Sequence, residues 1–138
     1  MHTLRIPMPA ALKPYLAALL VMGVLDALWL GLLAKDFYRE QMGAQMVEQI
    51  RWVPAALFYF AYPAALVALA LFPTGQPLGQ QIARAALVGL VAYGVYDLTN
   101  LSTLRQWPVK LALVDTAWGT FASTVAGAAA AWVAQRFN

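Results

Sequence analysis

The sequence predicts an all-α membrane protein, a four-transmembrane-helix bundle with a short interfacial helix between the first and second spans. Of its 138 residues, 62% are hydrophobic and only 11% are charged, whereas soluble domains carry roughly 25% charged residues. Four apolar stretches reach the roughly 20 residues that a helix needs to cross a bilayer. They cover residues 14–34, 52–72, 81–104 and 109–134. We expect residues 1–138 to form a single integral membrane domain.

The first stretch follows Arg5 and Lys13, as the apolar region of a signal peptide would. It is too long for a cleaved signal and contains Asp26, so we expect a permanent helix. Residues 35–51 then mix apolar side chains with three acids and three bases. This pattern fits either a short amphipathic helix on the membrane surface or a polar loop.

Turn sequences separate the remaining spans. Residues 73–77 read Pro-Thr-Gly-Gln-Pro and residues 106–108 read Gln-Trp-Pro. Because proline and glycine interrupt helices and both links are short, we expect antiparallel neighbours, with both chain termini on one side of the membrane. We call this side A and the opposite side B.

Aromatic residues mark the two membrane surfaces. Tyr15 and Trp132 are expected at side A, and Trp52 and Trp107 at side B, as in the aromatic belts of membrane proteins. Basic residues do not orient the bundle, because four lie at side A and five at side B. They are Arg5, Lys13, Arg84 and Arg136 at side A, and Lys35, Arg39, Arg51, Arg105 and Lys110 at side B.

Several function classes are not expected. The chain has no cysteine, which removes disulfides and thiolate chemistry. Its one histidine, His2, precedes the first span, so an intramembrane haem or a histidine-bearing metal site is not expected. The nine Lys and Arg are scattered over the span ends, so nucleic acid is not an expected partner. No catalytic motif or cofactor-binding loop is found.

Three aspartates lie inside the predicted spans: Asp26, Asp97 and Asp115. A charged residue at the centre of a span costs about 2.5–3.5 kcal/mol on insertion scales, so three of them call for an explanation. Counted at about 1.5 Å per residue, they lie about 13, 10 and 9 Å from side B. Tyr59 and Tyr62 of the second span lie close to this depth. The shared layer is the candidate site.

Polar residues of the third span follow the three- and four-residue spacing of one helical face, which we expect to look inward. They are Tyr93, Tyr96, Asp97, Asn100 and Thr103. In the fourth span, Asp115 shares a stripe with small residues at four-residue spacing. These are Gly119, Ser123, Gly127 and Ala131, and such stripes let helix backbones approach closely in lipid.

Trp29 and Trp118 each follow an aspartate by three positions. Each indole therefore lies on the same helix face as its carboxylate. The indoles could donate to the acids or line a ligand cavity, although helix packing is the preferred interpretation. The two motifs lie on antiparallel spans and suggest an inverted repeat of the kind found in transporters.

Three function hypotheses remain open. The first is an intramembrane module that binds a small molecule or a proton, with a proton-linked carrier as one form of it. Its pocket would hold Asp26, Asp97, Asp115, Tyr96 and Asn100 and open toward side B, and a homo-oligomer joined through small-residue stripes is expected. The second is a structural or accessory subunit of a larger membrane complex. The third is a membrane enzyme that acts on lipids or an isoprenoid with an acid–base pair such as Asp97 and Asp115.

Several motifs of the chain occur together in a known family. They lie at residues 25–31 (Leu-Asp-Ala-Leu-Trp-Leu-Gly), 37–38 (Phe-Tyr), 54–59 (Pro-Ala-Ala-Leu-Phe-Tyr), 96–100 (Tyr-Asp-Leu-Thr-Asn), 107–108 (Trp-Pro) and 114–119 (Val-Asp-Thr-Ala-Trp-Gly). Together they resemble the bacterial membrane family called domain of unknown function 2177, with residues 96–100 as the most specific element. The resemblance implies a multi-pass protein of the bacterial inner membrane with four spans, and no particular substrate, reaction or cofactor.

Overall fold

The structure, a computed structural model, describes residues 8–137. The expectations for His2 and Arg5 lie outside these residues. The described chain is all-helical, as predicted. Its helices are α1 (Met8–Leu28), α2 (Lys35–Met42), α3 (Trp52–Leu71), α4 (Leu78–Thr103) and α5 (Val109–Phe137), with a π-helical turn (Trp29–Leu33) and a 3₁₀ turn (Gly43–Gln45) on either side of α2.

Within the described residues, three helical segments are long and apolar enough to cross a membrane. They are Ala10–Leu33, Trp52–Leu71 and Leu78–Thr103, and they correspond to the first three predicted spans. α5 has 29 residues but is not among them, because alanine, glycine, serine and threonine take the place of leucine and isoleucine along most of its length.

The segment between the first two spans is helical only in its first half. α2 ends at Met42 because Gly43 has a φ of 56°, a left-handed conformation that glycine adopts at little cost. α2 packs against the start of α5 through a small cluster that includes Phe37, Tyr38, Trp107 and Leu111. Trp107 was expected in the aromatic belt at side B; it is instead buried within this cluster.

α5 is the central helix of the bundle. Nine of its residues are buried, and most of them are alanine or glycine. A Cβ atom added at Gly89 of α4 would lie 2.6 Å from the Cβ of Ser123, and one added at Gly127 would overlap the side chain of Ala85. The small-residue stripe thus brings helix backbones close together, as predicted. Residues of α4 cover this stripe within one chain, and the expected homo-oligomer stays a prediction.

The bundle is tightly packed toward side A and open toward side B. The buried residues of α3 are confined to its second half, from Pro63 to Leu71, where they join the main core with Ala18 and Met22 of α1 and the alanines of α5. At the other end of α3, Trp52 and Val53 are each 73% exposed. Because only one end of α3 is packed, space remains between it and the rest of the bundle toward side B.

Candidate functional site

A cavity of about 780 Å³ occupies the open half of the bundle. All five α-helices contribute to its wall, together with the loop that follows α2. Acidic and aromatic side chains line its inner part: Asp26, Asp115, Tyr59, Tyr62, Tyr93, Tyr96 and Trp118. Lys35 and Arg39 of α2 line it as well, and both are exposed. The size lies within the range of small-molecule sites, about 300–1,000 Å³.

The three aspartates differ in their surroundings. Asp26 and Asp115 line the cavity and are half-buried, whereas Asp97 is 1% exposed and lies outside the cavity lining. The hydroxyl of Thr116 donates to Asp97 Oδ2 over 3.1 Å. The predicted layer of three pocket carboxylates therefore needs correction: α4 turns Asp97 toward α5, and two carboxylates remain in the cavity.

The two Asp-x-x-Trp motifs are cross-connected. The indole N–H of Trp118 donates to Asp26 Oδ1 over 3.2 Å, so the tryptophan of one motif binds the aspartate of the other. The indole N–H of Trp29 donates to the hydroxyl of Tyr38 over 3.2 Å, and that hydroxyl donates to Asp115 Oδ1 over 2.7 Å. Trp29 is thus connected to Asp115 of the other motif through the hydroxyl of Tyr38.

The two indoles also stack on each other. The ring centroids of Trp29 and Trp118 are 4.5 Å apart with an angle of 7° between the planes. The ring of Tyr38 meets Trp29 edge-on at 6.5 Å. A π-helical turn begins at Trp29, and such turns occur frequently at functional sites. Stacking and hydrogen bonds together fix α1, α2 and α5 relative to one another around the cavity.

Asp97 and Trp107 form an incompletely paired buried site behind Asp115. Asp97 Oδ1 and Trp107 Nε1 are both buried and have no hydrogen-bond partner of ordinary geometry within the described residues. The indole of Trp107 and the carboxyl of Asp115 are neighbouring polar groups that act on Asp97. One proton held between the two carboxyl groups would satisfy the free oxygen, because a protonated carboxyl is a donor.

Tyr93 occupies the centre of the predicted site. It lies within electrostatic reach of Asp26, Asp97 and Asp115, and it lines the cavity. Its ring packs over Gly119, where an added Cβ would overlap the ring atoms. The glycine of the α5 stripe therefore makes room for a side chain of the site as well as for the backbone of α4.

The other predicted residues divide between the cavity and its surroundings. Tyr59 lines the cavity, and its hydroxyl lies where a side chain at Gly23 would be. Tyr96 lines the cavity but is 54% exposed, and the side chain of Asn100 lies beside its hydroxyl. Asn100 itself lies outside the cavity lining.

Tyr38 is the principal residue that the sequence analysis missed as a site residue. It lies in the segment 35–51, where alternation of apolar and charged residues drew attention to amphipathicity rather than to one hydroxyl. Its place in the Phe-Tyr motif at residues 37–38 was the available signal. Tyr62 was noted only for its depth; it shares a hydrogen bond with the hydroxyl of Ser123.

The site offers hydrogen-bond acceptors and negative charge. The charged residue that acts on Asp26 is another acid, Asp115, and among the described residues no lysine or arginine contributes to the electrostatics of Asp26 or Asp97. Burial raises the pKa of Tyr38 above its usual value, so its hydroxyl keeps its proton at neutral pH and remains a donor. Residues 8–137 contain no group of three or more side chains placed to hold a metal ion.

Comparisons with known proteins assign the chain to a family. The family described as "Predicted membrane protein (DUF2177)" matches residues 11–132. The chain therefore belongs to this family, as its motifs indicated. A search of curated proteins gives no match. A search of solved structures gives none either.

Replacing Tyr38 with phenylalanine tests the connection through its hydroxyl. Tyr38→Phe keeps the ring but removes two hydrogen bonds, to Trp29 and Asp115. Because hydrogen bonds between side chains of membrane proteins average about 0.6 kcal/mol each, we expect the free energy of unfolding to fall by about 1 kcal/mol. Denaturant unfolding in detergent micelles measures the change.

Tyr59→Phe is the matched control for this measurement. It makes the same chemical change in the same cavity, at a hydroxyl without a hydrogen bond to the described residues. We expect little change in its stability. Equal losses in Tyr38→Phe and Tyr59→Phe would show that the Tyr38 hydroxyl does not connect the two motifs.

Proposed function

We propose that this member of the family is a four-span protein of the bacterial inner membrane that binds a small molecule in the open half of its bundle. The observation that carries the proposal is the cavity itself. Two half-buried aspartates face it, and among the described residues no lysine or arginine acts on the carboxyl of Asp26. The opposite half of the bundle is closed by a tightly packed core. If the protein transports its ligand, this cavity is the binding site that transport would use.

Length and position support a fourth span. At about 1.5 Å per residue, the 29 residues of α5 extend about 43 Å, more than the roughly 30 Å of bilayer hydrocarbon. α5 packs against α1, α3 and α4, which are the three apolar spans. The ammonium of Lys13 donates to the carbonyl of Phe137 over 3.3 Å, so the end of α5 lies near the start of α1.

Single-cysteine labelling tests the fourth span, because the natural chain has no cysteine. We expect cysteines at Thr74 and Arg136 to react with a membrane-impermeant maleimide from one side of the membrane, and a cysteine at Gln106 from the other. Labelling of intact and permeabilised cells of a bacterial host distinguishes the two sides. If Arg136 and Gln106 positions label from the same side, α5 does not cross.

The cavity is better explained as a binding site than as a packing defect. Acyl chains that filled it would meet the carboxylates of Asp26 and Asp115, and burying a charge against hydrocarbon is costly. A ligand with polar groups can satisfy these acids while its apolar part contacts the remaining wall. Met22, Met42 and Met46 belong to that wall, and methionine adapts to ligands of different shape.

Filling the cavity tests for a bound small molecule. Ala92 lines the cavity, so Ala92→Trp should exclude a ligand by occupying its space. Ala83→Trp is the control, since Ala83 is an exposed alanine of the same helix outside the cavity. We expect native mass spectrometry to detect a small molecule retained by wild type and Ala83→Trp but absent from Ala92→Trp. Identical spectra for all three proteins would contradict the proposal.

A proton is a second candidate ligand, favoured by the free oxygen of Asp97. Two neighbouring carboxyl groups in a membrane interior do not readily ionise together, so we propose that Asp97 and Asp115 hold one proton between them. A proton-linked carrier would use this pair together with the adjacent cavity. A functional homo-oligomer, if formed, must use a surface other than the covered α5 stripe.

Infrared difference spectroscopy tests the shared proton. We expect a protonated-carboxyl band at pH 7 that disappears in both Asp97→Asn and Asp115→Asn, because the shared proton needs both partners. Asp36→Asn, at an exposed acid of α2, should retain the band. If wild type shows no such band, Asp97 and Asp115 do not share a proton and the proton-linked function fails.

The other two functions have less support. Hydrogen bonds from Trp118, Tyr38 and Thr116 to the three aspartates favour a structural role in an accessory subunit. A lipid- or isoprenoid-modifying enzyme is disfavoured, because its suggested acid–base pair is divided: Asp115 lines the cavity, whereas Asp97 lines a separate cleft between α4 and α5. The native mass spectra described above also discriminate, since a purely structural subunit would retain no small molecule that Ala92→Trp excludes.

A further inference from the structure

We infer that the inner end of the cavity binds an organic cation, an amine or quaternary ammonium group carried on an apolar body. The inference rests on the proposed function and names the class of ligand for the same site. It is carried by the arrangement of charge, aromatic rings and apolar surface along the cavity wall.

The charge at the inner end is negative and incompletely compensated. Trp118 donates to Oδ1 of Asp26, and the second oxygen of this carboxylate has no donor among the described residues. Asp115 accepts from the neutral hydroxyl of Tyr38. Neutral donors satisfy hydrogen-bonding capacity but leave the charge in place, so a ligand that brings a positive charge gains the most from this site.

Tyrosine side chains lie near the same two carboxylates. Tyr59, Tyr62 and Tyr93 lie within electrostatic reach of Asp26, and Tyr93 and Tyr96 within reach of Asp115. All four tyrosines line the cavity. Aromatic faces attract organic cations, and the attraction strengthens where water is excluded. Carboxylates within an aromatic wall therefore select a cation over a neutral or anionic group.

The rest of the wall suits an apolar body. Leu30, Ile50 and Phe58 line the cavity with the three methionines. Phe58 and Ile50 are 65% and 59% exposed, so the apolar part lies toward the opening. A ligand would place its cationic group near Asp26 and Asp115 and its apolar body toward these residues.

Two basic side chains line the same cavity and oppose a cation. Lys35 and Arg39 are both exposed on α2, and salt and water screen exposed charges. Their effect on a cation at the inner end should therefore be small. Removing one of them, as in Arg39→Gln, should tighten cation binding by about twofold and so provides a change of opposite sign.

Tetraphenylphosphonium and tetraphenylborate are the probes for a test, because they have nearly the same shape and opposite charge. We expect isothermal titration calorimetry in detergent to show saturable binding of tetraphenylphosphonium, one ion per chain, and no saturable binding of tetraphenylborate. Asp26→Asn and Asp115→Asn should each weaken cation binding at least about tenfold. Asp36→Asn, which removes an exposed acid outside the cavity, should change it less than twofold.

The comparison of the two ions in wild-type protein keeps the inference testable even if an aspartate variant fails to fold. Equal binding of both ions, or cation binding that neither aspartate variant weakens, overturns the assignment of a cation while the cavity remains a binding site. If neither ion binds, the cation assignment also fails. The proposed function then stands or falls separately, on the small molecule that wild type retains and Ala92→Trp excludes.

Discussion

The close approach of α4 to α5 is the constraint on which the rest of the structure depends. Gly89 lies so near Ser123 and the carbonyl of Gly119 that it has no room for a side chain. Contact at this distance replaces the hydrophobic driving force that helices lack in lipid, because van der Waals packing then acts along the whole interface. It also sets the positions of Tyr93, which packs over Gly119, and of Asp97, which faces α5.

The bundle has a packed half and an open half because the residues of α5 change in size and polarity near residue 119. From residue 119 onward its buried side chains are glycine, alanine and serine, which close the bundle toward side A. Before that point come Asp115 and Trp118, whose polar atoms bind Tyr38 and Asp26. Side chains of this size and polarity cannot be packed as closely, and the cavity lies beside them.

Helix positions were predictable because composition and turn residues determine them. The predicted stretch 52–72 differs from α3, Trp52–Leu71, by one residue. The position of α2 was harder to predict, because the helix ends where Gly43 adopts a left-handed conformation. Hydropathy alone did not resolve α5, since small residues that serve helix packing also reduce its apolar character. Its length and small-residue spacing were the stronger signals.

The site was predictable in its members but not in their arrangement. Counting residues along predicted helices selected three aspartates, yet it does not fix helix rotation, and a rotation of one residue separates Tyr96, at the cavity, from Asp97, within the α4–α5 interface. The role of Tyr38 depends on α2 folding back over the start of α5. The residue pattern within a single span does not predict such a long-range contact.

Pro63 lies where the packed and open parts of α3 meet. Since proline has no amide hydrogen, the carbonyl of Tyr59 loses its usual helical partner and α3 is most easily bent at this turn. A change in bend angle here would move residues 52–58, while the buried residues from Pro63 to Leu71 stayed in the core. Pro63 thus gives α3 a point of bending beside the cavity, where the width of the opening can change without loss of the packed half.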